Sequence, residues 1–265
     1  GKMGSGDPEE VKIVSDQLTR LGAVAVPSLI LGAKNPNILI RESSLVVLGN
    51  IGGNPAISTL LDAINDKDDK VRLTAALALM KIDPSVIEGM GGNFLKVTLT
   101  LIDILARTPE ENKQKILTRV TSLGEPVVPY FIVALSARNP DYAFEAYHSL
   151  IAIGNPAVSP LKSLFLNKNS GIRDTAVLAL GEIGAQSEAD ESQRSGPPYT
   201  IRLASEIRVF LEDNLDDFDP GEVRGAVLYT LGQLKLNTWT VIDQMLNGLT
   251  RSDPYVRIMA ARGLG

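Results

Sequence analysis

One histidine and no cysteine are all that this chain of 265 residues offers to imidazole and thiolate chemistry. His148 could act as a base or a ligand, but its neighbour Ser149 points elsewhere on a helix. No second histidine is available for a metal, so a surface or partly packed role is the plain reading. Two acidic groups could hold a hard cation: Asp217, Asp219 and Glu222, and Asp66, Asp68 and Asp69. Neither follows the full calcium-loop spacing, and both read more simply as helix caps and solvated turn charges. Gly89, Gly91 and Gly92 lack the Lys-Ser/Thr pair and the preceding strand of a phosphate loop. Arg107, Lys113, Lys115 and Arg119 form a local basic cluster whose default reading is a solvated helix face. No catalytic residue, metal site or cofactor is assigned from these sets.

The composition limits the classes of function further. At 44% hydrophobic and 22% charged, the chain can build a core and is not globally disordered. The formal net charge of -5 argues against broad nucleic-acid binding, which rests on neutralising phosphates, and no nucleic-acid partner is expected. No apolar stretch approaches the roughly 20 residues of a membrane helix. The opening Gly1 to Gly6 reads as a cloning remnant or flexible tether. Gly263-Leu264-Gly265 falls inside a repeat unit, so the chain reads as a fragment whose ends leave self-association open. A signal or anchor could have preceded residue 1, and either a cytoplasmic or an envelope location fits.

The elements that position these residues are repeated. An Arg follows a branched residue at Ile40-Arg41, Val71-Arg72, Ile172-Arg173, Val223-Arg224 and Val256-Arg257. The step is 31 residues from Arg41 to Arg72 and 33 from Arg224 to Arg257. Degenerate copies at Lys113 and Ala143 divide the interval between Arg72 and Arg173. Eleven residues after these positions comes a hydrophobic-Gly ending, at Ile51-Gly52, Leu123-Gly124, Ile153-Gly154 and Ile183-Gly184. Leu21-Gly22 is an earlier copy. Gly there suits a helix C-cap, and the Pro that follows (Pro27, Pro55, Pro129, Pro156) suits the start of the next helix.

Between the two ladders, apolar residues fall at helical spacing. Ile57, Leu60 and Ile64 mark a first helix, and Ala75, Leu79 and Ile82 mark a second. Helices are also expected at 8–21 and 201–213. Polar turns such as 65–69 and 167–170 supply N-caps. Two stretches break the pattern and are expected as inserted loops, near 83–93 and 185–200. A hairpin of this size cannot bury its own apolar face, so stacking must do it, at about 1.5–3 kcal/mol per large side chain.

Numbered from the Arg, the position five residues on lies opposite the core stripe of each second helix. It holds Val46, Leu77, Thr118, His148, Leu178 and Tyr229, and Phe144 lies near the same face. Apolar side chains there are either an open binding groove for a partner or are packed between neighbouring second helices. Leu77→Lys and Leu178→Lys distinguish the two, because only the packed reading makes both behave as core variants.

The ladder resembles the HEAT repeat family in its bacterial phycobilisome-lyase-like variety. Leu21-Gly22-Ala23-Val24-Ala25-Val26-Pro27-Ser28-Leu29 and Val71 to Ile82 carry the likeness, which extends over about 7–260. It implies an all-α fold, a right-handed α-solenoid of about seven helical hairpins in one domain over 7–265, with second helices on the concave side. It also implies a structural ladder of Arg41, Arg72, Arg173, Arg224 and Arg257 with turn aspartates, pairing Asp66 or Asp68 with Arg72 and Asp253 with Arg257. The iron-binding His-Glu pairs of HEAT-repeat deoxyhypusine hydroxylases are missing. Trp239, the single tryptophan, is a poor match for the HEAT-like DNA glycosylases. The leading expectation is a non-enzymatic scaffold that binds a protein or peptide on its concave face. The alternative is a subunit of a bilin lyase or a similar chromophore-handling enzyme.

Overall fold

Short polar side chains set where the helices begin. Helix α1 (Pro8–Leu21) starts behind Asp7, whose carboxylate accepts the Glu9 N–H at 3.0 Å. Helix α2 (Val26–Gly32) opens on Val26-Pro27, and α3 (Ile38–Ile51) is capped by Asn37. Helix α4 (Asn54–Ala63) carries Pro55 in its first turn, and Asp68 caps α5 (Asp69–Leu79) through the Lys70 N–H. Each cap satisfies an amide that the first helical turn leaves without a partner. Gly22, Gly52, Gly124 and Gly154 follow their helices at φ of 58° to 72°, a region that a Cβ strongly disfavours.

A computed structural model describes residues 7–82, 84–89, 93–192, 201–214, 222–234 and 239–265. Among them every regular element is helical. The remaining elements are α6 (Pro84–Gly89), α7 (Phe94–Arg107), α8 (Glu110–Thr121), α9 (Val128–Leu135), α10 (Pro140–Ile153), α11 (Asn155–Ser163), α12 (Ser170–Ser192), α13 (Ile201–Asp213), α14 (Glu222–Gln233), α15 (Trp239–Gly248) and α16 (Pro254–Leu264). They group into two units, Gly1–Ala146 and Tyr147–Gly265, and the division falls within α10.

In the first unit, α2 pairs with α3 and α4 pairs with α5, as consecutive antiparallel hairpins do, and α3 packs on α5. Leu45, Leu48, Leu60 and Leu79 are fully buried between them. Helix α7 packs on both α5 and α9. Its Val97, Leu101, Ile102 and Leu105 are buried at helical spacing, and Phe94 stacks on Tyr130 with ring centroids 4.4 Å apart. In the second unit, α12 packs on α11, α13 and α14, and α14 packs on α15 and α16. Ala75, Ala176 and Ala260, each three residues after a ladder arginine, are all fully buried.

Three expectations are corrected. Gly184 does not end a helix: α12 runs on to Ser192, and a Cβ at Gly184 would lie 2.7 Å from a Leu234 methyl. Its lack of a side chain serves helix approach rather than capping. The stretch 83–93 was expected as loop, but 84–89 form α6, and 185–192 likewise belong to α12. Residues 90–92 and 193–200 lie outside the described residues, as do residues 1–6, 215–220 and the side chain of Glu222.

The third correction concerns the arginine ladder. Asp66 gives its carboxylate to Arg41 of the preceding hairpin, at 3.0 and 3.1 Å, and only its backbone carbonyl to Arg72, at 2.8 Å. Arg72 pairs its guanidinium with Asp69 instead. Asp68 and Asp253 spend their carboxylates as N-caps. The recurrent bond runs to the carbonyl six residues earlier: Arg41 to Asn35, Arg72 to Asp66, Arg173 to Asn167 and Arg257 to Arg251, at 2.5 to 2.9 Å. The guanidinium thus closes the turn within its own hairpin, satisfying a carbonyl just beyond the first helix. Arg224 hydrogen-bonds to Gln244.

Candidate functional site: the groove on the second-helix face

Glycine decides how closely successive second helices approach. Eight residues after the ladder Arg stand Gly49, Gly181 and Gly232. A Cβ at Gly49 would lie 2.7 Å from the Ala78 Cβ, one at Gly181 would lie 2.7 Å from a Thr230 methyl, and one at Gly232 would overlap the Gly263 backbone. These glycines sit at the crossings of α3 with α5, α12 with α14, and α14 with α16. At the end of α5 the corresponding residue is Met80, fully buried, and on α8 and α10 it is Thr121 and Ile151. The next second helix, α8, buries only Val120 of its own residues.

A groove of about 190 Å³ lies at this point, lined by Val46 of α3, by Thr74, Leu77, Ala78 and Lys81 along α5 and its end, and by Arg119, Ser122 and Leu123 at the end of α8. Val46 is 40% exposed, whereas Leu77 is 5% exposed and forms the floor. Two cations border it. Lys81 reaches the Asn50 amide oxygen at 3.5 Å, and Arg119 reaches the Thr74 hydroxyl at 3.5 Å, both at the long limit of a hydrogen bond. The Thr74 hydroxyl in turn donates to Glu42 at 3.3 Å. Burial in the groove lowers the Arg119 pKa, opposed by the charge of Glu42.

The basic cluster read from the sequence therefore divides. Arg107 bonds to Asp103, which that hydrogen bond holds below the usual carboxylate range against the opposing effect of burial. Lys113 pairs with Glu145; burial works against its ammonium, but the bond and charge of Glu145 outweigh it and raise the pKa. Lys115 bonds to Asn112, and Arg119 faces the groove.

The other position-five residues lie elsewhere. Thr118 is exposed on α8, and Phe144 on α10 is 59% exposed. In the second unit His148 is exposed and stands edge-on to Tyr147, with ring centroids 5.1 Å apart. Leu178 is half-buried, and so is Tyr229, whose hydroxyl accepts from the Gln233 amide at 2.8 Å. The Tyr147 pKa is pushed up to about 12, first by burial and then by the charges of Glu182 and Tyr229, so this phenol stays neutral across the ordinary pH range. The second unit thus presents phenols and amides where the first presents Val46 and Leu77. Lys81, Thr74 and Glu42 were not singled out from the sequence. The available signal was the loss of Gly at this position in the middle copies, Met80, Thr121 and Ile151, where Gly49, Gly181 and Gly232 stand in others.

Two larger cavities of the first unit open at the hairpin turns. One, of about 430 Å³, is lined by Lys34, Thr59, Asp62, Lys67 and the Arg41–Asp66 pair. The other, of about 490 Å³, is lined by Arg72, Leu95, Lys96, Leu99, Asp103 and Tyr142. Tyr142 donates to Asp103 at 3.0 Å. In both, ladder and turn groups are bonded to one another. Among the described residues, no group of three or more His, Asp or Glu side chains is placed to hold a metal, and no helix is long and apolar enough to cross a membrane.

Comparisons with known proteins follow this geometry. Residues 25–88 match a family model described as HEAT repeats. No curated protein matches the chain. An engineered protein of solved structure is similar at 19% identity, over 99% of this chain and 71% of that one, with a TM-score of 0.40. Importin beta is similar at 16% identity, over 99% of this chain and 37% of its own, with a TM-score of 0.45. The complex of CpcE and CpcF of phycocyanin lyase from Nostoc sp. PCC7120 is similar at 16% identity, over 88% and 92%, with a TM-score of 0.36. The helical hairpins α2–α3 and α4–α5, with their arginine-closed turns, fall within the segment 25–88 that matches the HEAT repeats.

Proposed function

We propose that this protein is a non-enzymatic interaction scaffold whose second-helix face, in the first unit, receives a segment of a partner protein. The observation that supports this reading is the groove bordered by Val46 and floored by Leu77, between α5 and the end of α8. An apolar floor with a polar rim is the arrangement expected of a contact surface rather than of a solvated helix face. Its volume, about 190 Å³, is below the ~300–1,000 Å³ typical of small-molecule pockets and suits a single inserted side chain. Phe144 and the second unit's His148, Leu178 and Tyr229 are proposed as further contacts along second helices, and none is given a catalytic role.

The test compares three forms of the chain as bait: native, Val46→Asp and Leu31→Asp. Leu31 is 73% exposed on the first-helix face of α2. All three should fold. The native chain and Leu31→Asp should retain the same partner from native lysate, and Val46→Asp should lose it. Equal retention by both variants, or no partner for the native chain, overturns the reading. A chromophore-handling role requires a visible-absorbance change on bilin titration, and the scaffold reading expects none.

A further inference from the structure

The groove carries charge information that an apolar contact surface alone would not. Three cations near the hairpin turns and on the second helices of the first unit meet a carboxylate: Arg41 with Asp66, Arg72 with Asp69, and Lys113 with Glu145. Lys81 and Arg119 do not, and both border the groove. Among the described residues neither lies within ion-pair distance of a carboxylate, and each touches only a neutral oxygen at 3.5 Å. Thr74 occupies the position between Arg119 and Glu42, hydrogen-bonded toward both. Arg119 is exposed at the edge of the groove and keeps its charge with weak compensation, where an incoming carboxylate gains a charge-assisted hydrogen bond.

We infer that the partner segment is an acidic peptide that places an apolar side chain over Leu77 and sets a neighbouring Asp or Glu carboxylate against Lys81 and Arg119. This rests on the scaffold reading and adds the chemistry of what is bound. The overall net charge of -5 restricts the occupant. A long polyanion would be repelled by the acidic chain, whereas one or two carboxylates seated within a Debye length of ~8–10 Å are governed by the local pair of cations. The same argument disfavours nucleic acid.

The test uses calorimetric titration of the full chain with three short peptides of one length. The first has a central Leu flanked by Glu, the second replaces each Glu with Gln, and the third replaces each Glu with Lys. The Glu peptide should bind, and its affinity should fall at least about tenfold as salt rises from low ionic strength to about 0.5 M. The Gln and Lys peptides should bind at least about tenfold more weakly. Lys81→Ala combined with Arg119→Ala should remove the preference for Glu over Gln, while Arg119→Lys should keep most of it. Lys70→Ala with Lys96→Ala, which removes two cations outside the groove, should leave affinity unchanged. Equal binding of Glu and Gln peptides, an unchanged preference in the double variant, or binding of a single-stranded oligonucleotide in place of the peptide would overturn the inference. If in addition Val46→Asp still loses the native partner, the scaffold reading survives and only the acidic chemistry of the partner falls.

Discussion

At the crossing of α3 and α5, Gly49 lies against Ala78, and two second helices close on each other with no room for a Cβ. One repeat further on, Met80 holds the equivalent place, and a groove lies between α5 and α8. The two sites share a hairpin design, an arginine-closed turn and a capped second helix. At the position eight residues after the arginine, one carries Gly49 and the other Met80. A stack of repeats is stabilised mainly by contacts between neighbours. Second helices that do not close on each other therefore give up neighbour contacts and leave apolar surface accessible. The closed crossing is structural, and the open one is the surface we propose for a partner.

The comparison is broken most severely at the arginine common to both. Arg41 is 4% exposed and directs its guanidinium to Asp66, Asn35 and Pro36. Arg41→Ala leaves two carbonyls without their guanidinium donor and the half-buried Asp66 carboxylate with only the Asp68 N–H, and should destabilise the first unit by about 2–4 kcal/mol in urea unfolding. Arg119→Ala, at the groove, should change stability by less than about 0.5 kcal/mol. Comparable losses in the two variants would mean that Arg119 is structural, and the distinction between closed and open crossings would fail.

The glycine itself gives a smaller effect. Gly49→Leu forces a side chain against Ala78, a rigid neighbour that cannot swing away. Overpacking of this kind should cost about 1–3 kcal/mol, visible as a lower denaturant midpoint at an unchanged m-value. A stability equal to that of the native chain would show that the helices are not in close contact there.

Much of the fold was legible because caps and periodicity act locally. Asp7 and Pro8 mark the start of α1, Ile201 to Asp213 form the expected helix, and Asp68 in the polar turn 65–69 caps α5. What escaped depends on neighbours distant in sequence. Gly184 carries the signature of a helix end, yet its position is set by Leu234 some 50 residues later. Asp66 lies nearest in sequence to Arg72, but the distance between hairpins assigns its carboxylate to Arg41. The candidate site was half legible. Val46 and Leu77 were placed on one face by the repeat register, and the groove does join them. The cations were not legible, because whether Lys113 or Arg119 finds a carboxylate depends on which helix stands opposite: Glu145 meets Lys113, while Arg119 faces Thr74.

The central claim is that the second-helix face at Val46 is open in the unbound protein and covered in the bound one. The chain has no native cysteine, so single replacements report on one site each. The most direct measurement is the rate of thiol labelling of Val46→Cys, with Leu31→Cys as the exposed reference, in the absence and presence of a saturating Glu-Leu-Glu peptide. The account predicts that Val46→Cys labels within about tenfold of the reference when unbound and is slowed at least about tenfold by the peptide, while Leu31→Cys is unaffected. Slow labelling of Val46→Cys in the unbound chain, or labelling indifferent to the peptide, would contradict it.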